Sequence, residues 1–388
     1  MGSRAEDATT WLSGKQAEME HDLARLVETN SHTGNPEGGR KVGALLAALI
    51  ALPGVETTVR ASDRFADHWV FRTRPQSPNK AAVALVGHLD TVFPPGVFEG
   101  FRRDGALARG PGVLDMKGGL VLVAYALRAL AETGGLATIV PLRFVVVSDE
   151  EVGSPEGQGI IAATAAGSSA CLVFEAGRAA DAIITRRKGT GGLVVTFHGR
   201  AAHAGNAHRE GANAIWAMAR FVNAVQQLTD YDRGVTINVG QVSGGIGKNT
   251  VPDRAEAHLD FRFTTRSDGE RAVAAARIAA EQAVIEVPGT RFDLSGGIAR
   301  LPLERTEASA QLLAEYGACA RAHGLGAGEA PLIGGGSDAS TTSALGVPSI
   351  DGLGPRGTGF HTHGECIEVA SLVPKAQALC RFLAAREG

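Results

Sequence analysis

No apolar run in this chain reaches the length needed to cross a bilayer, so a membrane-spanning helix is not expected. Its four cysteines, Cys171, Cys319, Cys366 and Cys380, show no C-x-x-C spacing, which argues against a disulfide framework or a cysteine zinc site. Neither sign of charge dominates. The net charge of −3 gives no footprint for nucleic acid or an anionic membrane surface. The start, Met1-Gly-Ser-Arg-Ala-Glu-Asp7, carries no apolar core of a signal peptide, and the expected compartment is the cytosol. Internal repeats and low-complexity tracts are also missing. What remains is the composition of a well-packed soluble enzyme, 44% hydrophobic and 20% charged. The 51 glycines suit many tight turns between strands and helices. A length of 388 residues fits one large or two moderate domains.

Residues from about 7 to 28 and about 39 to 52 carry helical patterns. Strand-like runs follow at Trp69–Phe71, Ala81–Val86, Leu142–Val147, Cys171–Phe174 and Ala182–Thr185, with helices over Leu120–Leu130 and Gly157–Ala166 between them. That alternation predicts an α/β fold with a mostly parallel sheet flanked by helices. Near Arg187 the pattern changes to period two. Leu193, Val195 and Phe197 alternate with polar or wetter neighbours, as do Ala255, Ala257, Leu259, Phe261 and Phe263. Between these runs Ile215, Met218, Ala219, Val222 and Val225 form a helical stripe. A further helix over about 268–285 has Ser267 as its candidate cap. Residues 187–297 therefore read as an inserted α+β unit of β-α-β-β-α-β type. Residues 1–186 and 298–388 form the surrounding α/β domain, with late helices at about 306–323 and 370–386.

Ligand-type side chains stand at the ends of the apolar runs. His88 and Asp90 close the first. Asp115 lies in a glycine-rich loop, Glu150 and Glu151 follow Phe144–Asp149, and Glu175 follows Cys171–Phe174. His361 and His363 sit in a glycine-rich return to the sheet, and one of them would complete the set. Each has a bland alternative: a surface turn, a helix cap, a solvated strand end. Adjacent carboxylates at the end of a buried strand, however, repel unless a cation compensates them. Five ligand types at successive sheet-edge positions point to a metal site where such sheets place their chemistry.

The combination of Gly87-His-Leu-Asp-Thr-Val-Phe93, Gly110-Pro-Gly-Val-Leu-Asp-Met-Lys-Gly-Gly119, Asp149-Glu-Glu-Val-Gly153, Phe174-Glu175, Ala202-His-Ala-Gly205, Gly334-Gly-Gly-Ser-Asp338 and the His361 segment spans nearly the whole chain. It resembles the co-catalytic zinc exopeptidase superfamily that holds bacterial glutamate carboxypeptidase, aminoacylase, acetylornithine deacetylase, succinyl-diaminopimelate desuccinylase and peptidase T. The glutamate carboxypeptidase branch is the most similar. The resemblance implies a catalytic α/β domain with an inserted ferredoxin-like dimerisation lid. It implies two Zn2+ per chain, with Co2+ or Mn2+ as possible substitutes. Asp115 would bridge them, with His88 and Glu175 on one ion and Glu151 and His361 on the other. Glu150 would be the general base, with Asp90 orienting His88. His203 would reach the partner subunit's site to stabilise the oxyanion. The same resemblance implies a cis peptide after Asp115.

Asn249, Arg262, Arg300, Gly335 and Ser337 are the candidate substrate contacts. Arg262 and Arg300 are singled out because a free carboxylate favours a guanidinium fork. The expected activity is hydrolysis of an amide bond that releases a C-terminal amino acid, glutamate foremost, from an N-acyl or short peptide substrate. The alternatives are a deacylase of acetylornithine or succinyl-diaminopimelate type and a non-catalytic metal-binding scaffold. The expected assembly is a homodimer through the lid, without nucleic acid or membrane partners.

Overall fold

The computed structural model describes residues 4–73 and 80–386. Residues 1–3, the first part of the start read above for a signal segment, lie outside the described residues. The chain divides into two compact units. One takes the residues up to Arg186 together with Arg305–Leu332 and those from Ser337 onward; the other takes Arg187–Glu304 and Ile333–Gly336.

The first unit is built on a six-stranded sheet in the order Val55–Arg60, His68–Thr73, Leu142–Val147, Val83–His88, Ala170–Val173, Ser349–Ile350. The first two pairings are antiparallel and the remaining three are parallel. All six residues of Val83–His88 are buried, as a parallel strand covered on both faces requires. The three central strands run the same way, in a register that pairs His88 with Val147 and Val86 with Val173. Their C-terminal ends therefore open on one edge. The helix Lys117–Glu132 is buried almost all round, packed among helices Arg4–Leu12, Gln16–Val27 and Leu372–Ala384. Its sequence is apolar on every face, which marks a core helix. Full burial of each Leu or Val in it contributes roughly 1.5–3 kcal/mol.

The second unit pairs its long strands in the order Thr236–Gly244, Arg254–Phe263, Gly189–His198, Arg291–Arg300, all antiparallel. With the helices Ala214–Gln226 and Arg266–Glu286 this is a β-α-β-β-α-β unit. Leu193, Val195 and Phe197 join Ala255 to Phe263 at alternate positions in its core.

Four readings need correction. The expected helix over 7–28 is two helices, Arg4–Leu12 and Gln16–Val27, separated at Ser13-Gly-Lys15. Ala182–Thr185 is no strand; it makes only single bridges, Ile183 to Glu329 and Ile184 to Asp351. The buried stripe of helix Ala214–Gln226 is Ala214, Ala217, Met218, Phe221 and Val225, whereas Ile215 and Ala219 face outward. The cap of helix Arg266–Glu286 is Thr265, which accepts the amide of Asp268, and not Ser267.

Candidate metal centre

His88 is the last residue of its strand and is buried. Its Nδ1 lies 3.0 Å from the main-chain oxygen of Asp90 and 3.3 Å from the Asp90 carboxylate. Its Nε2 lies 3.3 Å from Asp115 Oδ1 and 3.7 Å from Glu175 Oε2. His361 mirrors it: Nε2 is 3.3 Å from Asp115 Oδ2 and 3.1 Å from Glu151 Oε2. Asp115 thus turns one oxygen toward each imidazole. Donor atoms sharing a tetrahedral ion at ~2.0–2.2 Å stand about 3.3–3.6 Å apart. The four separations bracket that value, and the donor atoms of His88, Asp115 and Glu151 lie close enough together to share an ion. His363 is turned elsewhere and stacks on Phe98 with ring centroids 5.5 Å apart.

Electrostatics make the same point. Burial pushes Glu175 up to about 8, and the nearby charge of Asp115 adds to it. Burial also raises Glu151. Hydrogen bonds to Asp115 and Glu151 push His361 up to about 10. Burial works against the charged form of His88, yet Glu175, Asp115 and Asp90 hold its pKa well above the ordinary value. Burial opposes ionisation of Asp115 too, but His361 and His88 outweigh it and keep that carboxyl far below the usual range. The cluster therefore calls for positive charge, which protons or divalent ions can supply.

The turn after strand Leu142–Val147 separates three acidic neighbours by role. Asp149 Oδ2 accepts the amides of Glu156 and Gly157 at 2.8 and 3.0 Å, at the start of helix Gly157–Ala165. The capping role considered for this acidic run thus falls to Asp149. One short helical turn, Glu150–Val152, closed by Gly153 at φ 94°, then sends Glu151 to His361. Glu150 is only partly buried, and its carboxylate can share an ion site with His88 and Glu175. Asp90 ties these parts together. Its oxygens accept the amides of Glu150 and Glu151, each at 3.2 Å, and the hydroxyl of Thr33 at 2.7 Å.

The Asp115 loop follows from its glycines. Gly112 takes φ +78°, a conformation L side chains avoid. A Cβ on Gly119 would stand 2.2 Å from the Phe174 carbonyl oxygen, so only glycine lets this helix start so close to the strand end bearing Glu175. The Asp115–Met116 peptide is cis. Glu365 is buried beneath this loop. It accepts the amides of Gly112, Leu114 and Asp115 at 3.0, 2.9 and 2.9 Å. Burial pushes its carboxyl up to about 7 against those three donors. Lys117 is fully buried, with Nζ 3.0 Å from the Thr29 carbonyl oxygen; burial pulls it down to about 7 while Glu365 opposes the fall. Thr33 and Lys117 were also passed over as site residues.

The candidate substrate contacts are less uniform. Ser337 is buried, donates to Asp351 Oδ2 at 2.6 Å and accepts the amide of Ala339. Arg262 forks onto Asp260 at 2.8 Å through both Nε and Nη2. Arg300 is buried, with its side chain against Gly336. The Gly335 carbonyl accepts Arg187 Nη1 at 3.2 Å. Asn249 is exposed and its carbonyl accepts the amide of Ala204. His203 is exposed and paired with Thr250 across a short ladder. Its Nδ1 accepts two amides, from Gly205 and Asn206, each at 3.1 Å. In the neutral ring that leaves Nε2 as the hydrogen-bearing nitrogen, a donor.

Comparison with known proteins bears on the family and the fold. Residues 185–287 match the peptidase dimerisation domain of the M20 family. Carboxypeptidase G2 of Pseudomonas sp. (strain RS-16) is 26% identical over 373 residues, covering 93% of this chain and 87% of that protein. Acetylornithine deacetylase of Myxococcus xanthus is 30% identical over 200 residues, covering 47% of this chain and 50% of that protein. Among solved structures, the aminopeptidase PepT of Bacillus cereus superposes with a TM-score of 0.79 at 20% identity, covering 95% of this chain and 98% of that one. At that identity the superposition speaks for the fold.

Proposed function

We propose, from the premise that the chain belongs to the M20 zinc-exopeptidase superfamily and is a hydrolase of amide bonds, that it releases a C-terminal amino acid, glutamate foremost, from an N-acyl or short peptide substrate. The observation that carries this reading is Asp115 standing between His88 and His361, one oxygen to each. Two divalent ions, zinc in this proposal, would be held by His88, Asp115 and Glu175 and by Asp115, Glu151 and His361; when bound they polarise the scissile carbonyl and bring the pKa of water toward neutrality.

The chain's own residues supply the proton handling. Glu150, at the edge of the cluster, takes the proton of the attacking water and passes it to the leaving amine. Asp90 fixes the ring of His88 through Nδ1. His203, with its hydrogen on Nε2, serves as donor to the developing oxyanion from the partner chain of a homodimer. A homodimer is supported by apolar residues left outside in the second unit: Trp216 at 52% and Val242 at 54% exposure, the latter on the outer strand Thr236–Gly244. No described helix is long and apolar enough to cross a membrane.

The second reading, an N-acyl-amino-acid deacylase, is favoured by the similarity to acetylornithine deacetylase. A non-catalytic metal-binding scaffold is disfavoured by Glu150, since a scaffold has no use for a base beside the cluster. Metal content measured together with turnover of folate-like, dipeptide and N-acetyl amino acid substrates separates the three. Preferred release of C-terminal glutamate supports the first reading. Preferred removal of a short acyl group supports the second, and metal without turnover supports the scaffold.

A further inference from the structure

Asp115 and His361 reach the cluster on separate loops, and one buried side chain joins those loops. Glu365 follows His361 by four residues. It is held in place by the strand Cys366–Glu368, which pairs with Leu107–Arg109 just ahead of the Asp115 loop. Its Oε1 accepts the amides of Leu114 and Asp115, both at 2.9 Å, and Oε2 accepts the amide of Gly112 at 3.0 Å. Side chain and main chain of Asp115 are therefore both held, the carboxylate by two imidazoles and the amide by Glu365.

We propose that Glu365 is a positioning residue for the metal centre: by gathering the amides of Gly112, Leu114 and Asp115 it sets the shared carboxylate and His361 at matching positions. The proposal rests on the two-ion reading of the cluster. The ion held by Asp115, Glu151 and His361 takes two of its three side chains from the clamped loops, so it depends on Glu365 more than its neighbour does. A carboxylate suits the task because it offers acceptor sites only, to three donors that converge on it. Glutamine keeps the shape but presents an NH2 group to one of those donors.

The test is titration of chelator-stripped, full-length protein with Zn2+, followed by calorimetry, for wild type and Glu365→Gln. Partners behind metal ligands usually carry ~10–100-fold of metal affinity. E365Q should bind one of the two ions ~10–100-fold more weakly, with a smaller change in the other, while Glu365→Asp, which keeps the acceptors on a shorter arm, falls between. A wild-type isotherm for E365Q overturns the proposal. Hydrogen exchange on metal-free wild type supplies a second measurement, should E365Q fail to fold. The amides of Gly112, Leu114 and Asp115 should be protected like those of the sheet, and exchange at the rate of an open loop overturns the proposal. If wild type itself takes up no Zn2+, the two-ion reading falls and this proposal with it. Two-ion uptake by wild type with an unchanged E365Q isotherm rejects the role of Glu365 alone.

Discussion

Asp90 Oδ2 accepts the amide of Glu151 at 3.2 Å, so the residue that touches His88 Nδ1 also fixes the turn carrying the two glutamates. Asp90→Asn keeps the shape but places an NH2 group against one of the amides it now binds. The expected result is ~10–100-fold weaker metal binding together with lower turnover. Metal competition with a chromophoric chelator checks it. Unchanged affinity in the variant would show that the Asp90 contacts are incidental.

In the proposed reading the neighbours Glu150 and Glu151 have different tasks. Glu150→Gln should keep both ions and lose ~10²–10⁴-fold in kcat, the usual worth of a proton-transfer group. Glu151→Gln should lose metal as well as activity. Elemental analysis beside steady-state kinetics distinguishes the pair, and near-normal turnover in Glu150→Gln would remove it as the base.

The clustering of these side chains was legible in the sequence because they stand at the ends of apolar runs, and parallel strands bring such ends to one edge. Thr33 and Glu365 were not, since their partners are distant main-chain amides and a carboxylate, which leave no local pattern. Glu365 binds Gly112, 253 residues away. The pairing of Arg262 was legible as well. Asp260 lies two residues before it on the same strand face, the spacing that lets them pair. Ala182–Thr185 was taken as a strand from its apolar content, but only single bridges reach it. The second unit was readable because one face of its sheet is wet and enforces strict alternation.

Metal-free protein should show an unusual pH trend. The raised His361, at about 10, adds stability that is full below the unfolded histidine value of ~6.5 and disappears as pH rises through the folded value. The raised Glu175, at about 8, acts in the same direction, because its buried ionised form is disfavoured as pH climbs from ~4.5. The raised Glu365, at about 7, adds to the fall, whereas Lys117, drawn down to about 7, works the other way above that pH, so the Tm of chelator-stripped protein should fall between about pH 5 and 7. Zn2+ affinity should rise over the same window, since binding displaces those protons. Thermal melts with and without Zn2+ across this range check both trends, and zinc affinity that falls with pH would contradict the charge account.

His203→Ala should keep two ions and lower kcat by ~10²–10³-fold, the worth of one donor to an oxyanion. Mixed with Glu150→Gln chains under conditions of proven subunit exchange, it should regain activity, because each heterodimer would hold one site with both groups intact. Mixtures as inactive as either parent would reject service to the partner chain.

The central claim is that Asp115 is shared by two ions. Anomalous diffraction at the zinc edge, on crystals of Zn2+-loaded protein, tests it directly. The account predicts two peaks about 3.5–4 Å apart, one on the His88 and Glu175 side of Asp115 and one on the Glu151 and His361 side. A single peak, or peaks that leave Asp115 outside both coordination spheres, would contradict it.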